Sequence, residues 1–225
     1  MTKHKLSTLK QGEIFSRAGQ EFVVLDHLDD GTLCLLKDVL PPMAFSEASL
    51  NDWRYSDVKK YLNTEWLNEL IATGLDAADI IPMTIDLKAT DGSREYGYDI
   101  CNVSLLTVEQ YFRYNEYIPL AEYWWMLATP HQTPECRSPD IGSSTYFWNV
   151  LSNGSGSWNS ASSSSHGPRP ASLFSSDLLV SKSEDEQINL YAKYMTYLNG
   201  FSNSDQEIGA SPMNFEVWTA NYKET

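Results

Sequence analysis

Two apolar runs separated by a polar turn open the chain. Glu21–Leu28 (EFVVLDHL) and Thr32–Val39 (TLCLLKDV) flank Asp29-Asp30-Gly31, and Asp-Gly between such runs predicts a β-hairpin. Pro41-Pro42 follows and removes two backbone donors, which ends the sheet. The period then changes. From Ser56, a predicted N-cap, Val58, Tyr61, Leu62, Trp66 and Ile71 recur at helical steps, and Leu67 and Leu70 widen the stripe. This predicts an amphipathic helix that Gly74 terminates. A shorter helix starts at Thr107, whose spacing to Gln110 is that of a capping box ahead of VEQYFRY. Between the helices, Ile80–Leu87 reads as an extended connection, Thr90–Asp99 as a polar loop and Ile100–Leu106 as a strand.

The second half returns to strands. Tyr123–Thr129 (YWWMLAT) is short, apolar and aromatic, which suits a central strand. Thr129–Ser144 carries three prolines and reads as a loop. TYFWNVL, PASLF and Asp177–Ser181 (DLLVS) complete the strand set. The tail differs: Ser183 and Glu186 form another capping-box pair, Ile188, Tyr191, Met195 and Leu198 make one apolar face, and Gly200 can end it. A short NFEVW strand or arm follows. The predicted organisation is an α+β domain over 1–182, two helices packed on antiparallel sheets, and an acidic C-terminal helix and arm over 183–225.

Charge adds a constraint. Thirty acids against sixteen bases give a net charge of −14. Such a chain repels phosphate backbones, whose binding depends on Lys and Arg neutralisation, so direct nucleic-acid binding is not expected. A basic partner protein remains compatible with it. The three cysteines, Cys34, Cys101 and Cys136, are odd in number and widely spaced. That predicts neither a disulfide framework nor a zinc site, and reduced thiols are expected. The first ten residues lack an apolar core for a signal peptide, and no apolar run approaches a membrane span. The expected location is cytoplasmic or virion-associated.

The order of motifs LKQGEIF, FVVLD, LLKDVL, WRYSDVKKYLN (Trp53–Asn63), NVSLLTVEQY, YWWMLATP and GPRPASL resembles the DUF6273 family, a domain of unknown function common in prophages and gut bacteria of the Firmicutes type. The likeness runs from about Leu9 to Val180. The closing pattern is also similar to the formylglycine-generating-enzyme branch of the C-type-lectin-like fold. The resemblance implies a C-type-lectin-like mixed domain in which a Trp strand, a variable surface and an Arg-bearing strand form the ligand face. Departures limit what carries over. No cysteine follows Cys136, so the copper-binding pair of the enzymes is missing, and Trp148-Asn149 and Trp158-Asn159 lack the Asp of lectin calcium motifs. Neither that catalysis nor calcium-dependent sugar binding is implied, and no cofactor or metal is expected.

Catalytic constellations are weak. His131 and Cys136 invite a Cys–His reading, but a Pro-rich surface loop with a stray His is the simpler one. Asp29-Asp30 and Glu184–Glu186 read as turn and cap residues. Asn153–Trp158 (NGSGSW) has no P-loop Lys and reads as a tight turn. The chain is therefore expected not to be an enzyme. Of Trp124 and Trp125, pleat alternation puts one in the core and the other on the far face, with core or inter-strand packing preferred for Trp124 and Trp148. Tyr146 and Trp158 stay open between packing and binding. Arg169, between two prolines, is read as structural. The Ser/Asn/Gly/Tyr/Trp mixture from Gly142 to His166 has the composition of a paratope: rigid aromatics among adaptable hydrogen-bonders. The candidate ligand-binding residues are Tyr146, Trp148, Asn149, Asn153, Trp158, Asn159 and His166, the function a non-enzymatic phage or prophage module recognising a protein or glycan, with homo-oligomerisation compatible. The alternative is an acidic intracellular anti-defence inhibitor that occupies a basic nucleic-acid-binding surface.

Overall fold

The computed structural model describes residues 3–135 and 144–182, with isolated positions 191, 194, 195 and 198. The chain divides into two units, Met1–Ser181 and Lys182–Thr225, and nearly all described residues belong to the first. Apart from those four positions, the expected tail helix and arm lie outside the described residues.

The N-terminal part is β-rich. Strands β1 (His4–Lys5), β2 (Ile14–Arg17), β3 (Gln20–Leu28) and β4 (Gly31–Leu36) precede the helices. The predicted hairpin is β3–β4, with Leu28 opposite Gly31 and a bulge between Val24 and Asp26. Gly31 has a packing role that the turn reading missed. A Cβ there would sit 2.6 Å from the Phe174 carbonyl oxygen and 2.9 Å from Ile81 Cδ1, so only glycine admits the neighbouring strand.

The long helix is α1 (Asp57–Tyr61), a π-helical turn over Leu62–Trp66, and α2 (Leu67–Ala72). Ser56 caps it by accepting from the Lys59 amide at 3.1 Å, and Gly74 follows with φ +106°. Val58, Leu62, Trp66, Leu67 and Leu70 are buried, whereas Ile71 is exposed. The wider turn explains the difference: a π-turn takes more residues per revolution, so the inward stripe runs 58, 62, 66, 70 and position 71 rotates outward. The second helix, α3 (Val108–Tyr114), has the predicted capping box, with Thr107 and Gln110 satisfying each other's backbone amides.

Between and after the helices come β5 (Ile80–Ile81), β6 (Met83–Asp86), β7 (Tyr98–Cys101), β8 (Val103–Ser104), β9 (Trp125–Pro130), β10 (Tyr146–Val150), β11 (Gly156–Ser160), β12 (Ala171–Phe174) and β13 (Leu179–Lys182). The extended connection after α2 is thus two short strands. One sheet runs β1-β13-β2-β3-β4-β12-β5 with β8 also on β12; a second is β11-β10-β9; a third is β6-β7. Pairing is antiparallel at β1–β13, β2–β3, β3–β4, β4–β12, β5–β12, β8–β12, β6–β7, β9–β10 and β10–β11. The molecule is therefore mixed α+β, mostly antiparallel sheet with two helices.

The Gly-Pro-Arg-Pro segment locks the large sheet to its surroundings. Arg169 is fully buried. Its guanidinium donates to the Leu36 carbonyl at 2.9 Å, to Pro119 at 3.0 Å and to Lys37, and lies 5.1 Å over the Trp125 ring. Burial pushes its pKa down to about 10, which leaves it charged at neutral pH. Gly167 precedes it for a steric reason, since a Cβ would sit 2.1 Å from the Leu40 carbonyl oxygen. The structure corrects the expected roles of the tryptophan pair: Trp125 is 2% exposed and Trp124 is 44% exposed. Alternation holds, but the strand begins at Trp125, and it is this side chain that meets Arg169 and Tyr111.

Candidate functional site

The segment that opens with Tyr146 is an ordered hairpin. β11 begins inside NGSGSW, which reads as a tight turn, and its Gly and Asn are poor strand formers. It forms because β10 offers it a ladder, in which Tyr146 faces Ser160, Trp148 faces Trp158 and Val150 faces Gly156. The turn between them is tight, as expected of NGSG. The Leu151 amide donates to Ser155 at 2.9 Å, the Asn153 carboxamide accepts from the Ser155 amide at 3.0 Å, and Gly154 takes φ +82°. The serine run is held as well. Ala161 is buried, its amide donates to the Thr145 carbonyl at 2.7 Å and its carbonyl accepts from Ser46 at 2.9 Å.

Pleat alternation divides the seven candidate residues between two faces. Phe147 and Asn149 turn inward at 0% and 1% exposure, and Phe147 stacks on Phe45 at 4.8 Å. Asn159, opposite Phe147, shares that side and lies 3.5 Å from His166 Nε2. His166 is fully buried between Phe147 and Trp124. Asn149 and His166 are therefore corrected from surface ligand contacts to interior residues. Trp148, Trp158 and Tyr146 lie on the opposite face; Trp158 is 53% exposed, the other two are half-buried, and Asn153 is exposed at the turn.

A residue read as a stray loop histidine completes that face. His131 directly follows β9, is buried, stacks on Trp148 at 5.8 Å and lies tilted against Trp158 at 5.1 Å. The two indoles meet edge-on at 5.7 Å. Trp148 Nε1 donates to the Thr90 hydroxyl at 3.0 Å, which donates in turn to the His131 carbonyl at 2.8 Å. Burial holds the His131 pKa below its ordinary value against a smaller opposing pull from Asp91, so the ring is neutral at pH 7. Its Nδ1 is buried without a hydrogen-bond partner. Cys136, its suggested catalytic partner, lies outside the described residues. Phe112, on the outer side of α3, was also missed; it is 58% exposed, and its ring edge and that of Trp148 both lie within 4 Å of the Gly156 Cβ position. No local pattern marks either residue, because β9 and α3 meet the hairpin only in three dimensions.

Several acids of the described residues form ion pairs. Glu21 pairs with Lys37 at 2.6 Å, Asp52 with Arg54 at 2.6 Å, Asp99 with Lys59 at 2.6 Å and Asp86 with Arg94 at 2.9 Å. Among the described residues, no group of three His, Cys, Asp or Glu side chains could hold a metal ion, and no helix is long and apolar enough to cross a membrane. Cys34 and Cys101 are buried free thiols, and burial raises both pKa values, Cys101 to about 11. Such thiols are poor nucleophiles. No family model, curated protein or solved structure matches this chain.

Proposed function

We propose that the chain is a non-enzymatic binding module of phage or prophage type, of the DUF6273 kind, with a lectin-like disposition of its ligand face. The observation that carries this reading is the state of Trp158. More than half of its surface is open, yet its ring is fixed by Trp148 and His131. An exposed aromatic that is already ordered loses little entropy when a ligand covers it, which is the usual condition of a binding anchor. Asn153 and the serines of the hairpin supply adaptable hydrogen bonds around it. The lectin-like reading is supported by chain order: a Trp strand, an Asn/Ser-rich hairpin and an Arg-bearing segment follow one another in one region.

The test uses the full chain and two probe sets, immobilised bacterial polysaccharides and a displayed peptide library. Wild-type protein should retain ligands from at least one set. Trp158→Ala should weaken them about tenfold or more at a temperature well below the variant's own melting point. Retention that is indifferent to Trp158→Ala and Tyr146→Ala would sink the proposal.

A further inference from the structure

The aromatic face borders a cleft of about 520 Å³ with a mixed polar and apolar lining. The end of β6, the segment that follows it to Gly92 and α3 form its walls, and Thr129 contributes to its lining. Thr90 belongs to both features: it lines the cleft, and its hydroxyl accepts from Trp148 Nε1. The two therefore adjoin at Thr90. The cleft lining carries charges of both signs, although the whole chain is strongly acidic. Asp86, Asp91 and Glu109 line the cleft beside Lys88 and Arg113; Arg113 pairs with Glu109, and Arg94, from outside the lining, pairs with Asp86. On the far side of Trp148, Gly156 leaves a gap in the cover: a Cβ would touch Trp148 at 3.4 Å and Phe112 at 3.8 Å.

We propose that rings and cleft form a single site for a neutral oligosaccharide, with one pyranose stacked over Trp158 and the Gly156 gap and the next residues directed past Thr90 into the cleft. This inference rests on the binding-module reading above and names its ligand class. The face of an aromatic ring carries partial negative charge, and a pyranose offers it a face of C–H bonds. The sugar's edge carries hydroxyls that both donate and accept. The cleft meets them with carboxylate acceptors, ammonium and guanidinium donors, and threonine hydroxyls. A charged ligand meets charges of both signs there, two of the acids already paired with arginines. An apolar peptide side chain would strip water from them without replacing its hydrogen bonds, which is unfavourable.

The full chain is titrated by calorimetry with defined neutral oligosaccharides (chitohexaose, cellohexaose, maltohexaose and a mannohexaose), with sialylated and sulfated oligosaccharides, and with pentalysine and pentaglutamate. At least one neutral sugar should bind. Its affinity should survive a chelator and change little in about 0.5 M NaCl, where exposed charges are screened. Trp158→Ala and Gly156→Val should each weaken it roughly tenfold or more at a temperature where melts show each variant folded. Binding only by charged probes, or only by displayed peptides, with the same sensitivity to Trp158→Ala, overturns the saccharide assignment and leaves the binding face standing. A neutral sugar indifferent to both substitutions, or no neutral sugar bound, also overturns it. Loss of Trp158 sensitivity across every probe overturns both readings.

Discussion

Arg169 carries its charge into the interior with three backbone carbonyls as acceptors. Those carbonyls belong to Leu36, Lys37 and Pro119, so one side chain ties the end of β4 to the segment before β9. Arg169→Met should cost about 3 kcal/mol or more, because it leaves buried acceptors without donors. Arg169→Lys should recover little, since one ammonium cannot reproduce a planar fork. Denaturant melts of both variants check this. Gly167→Ala should be comparably damaging, with a loss of about 2 kcal/mol or more, because the new methyl would overlap the Leu40 carbonyl. A melt in which Gly167→Ala matches wild type would show that the Leu40 segment can yield.

The π-helical turn does at the level of the element what these residues do locally. It presents Asn63 to β8, where its side chain donates to the Val103 carbonyl at 2.8 Å and accepts from the Val103 amide at 3.0 Å. A two-residue strand is thereby held by a helix side chain as well as by β12. Asn63→Ala should cost about 2 kcal/mol, and amide exchange at Val103 should accelerate more than at Leu173 in β12. Equal acceleration at both would mean that the clamp is only part of global stability. The hairpin of β10 and β11 shows the reverse dependence. β11 lacks strand propensity, and the Trp148–Trp158 pair across the ladder stabilises it.

At the scale of the whole molecule, two buried histidines couple stability to pH. Burial lowers the pKa of both His131 and His166. The unfolded chain then takes up protons near the ordinary value of about 6.5, while the folded chain does not. Stability should therefore be full above that value and fall as pH drops from about 6.5 through the lowered folded values. Thermal melts from about pH 8 down to about pH 5, still above the carboxylate range, check the slope. His166→Gln, which does not titrate, should flatten it in part. The two sites lie on opposite faces of one hairpin, so acid should loosen the aromatic face along with its supporting core.

What the sequence settled alone was local. The Asp-Gly hairpin, the Ser56 and Thr107 caps, the Gly74 stop and the tight NGSG turn are visible in it, because each depends on residues within a few positions of one another. The alternation of Trp124 and Trp125 was legible too, but not which ring faces inward, since that depends on where β9 begins and on Arg169 some forty positions away. The conversion of GSWNS into a strand, the burial of Asn149 and His166, and the recruitment of His131 and Phe112 to the aromatic face were decided by tertiary structure. Strand pairing and helix packing bring together residues that share no period along the chain. Burial and exposure belong to that assembled surface, and no single segment carries them.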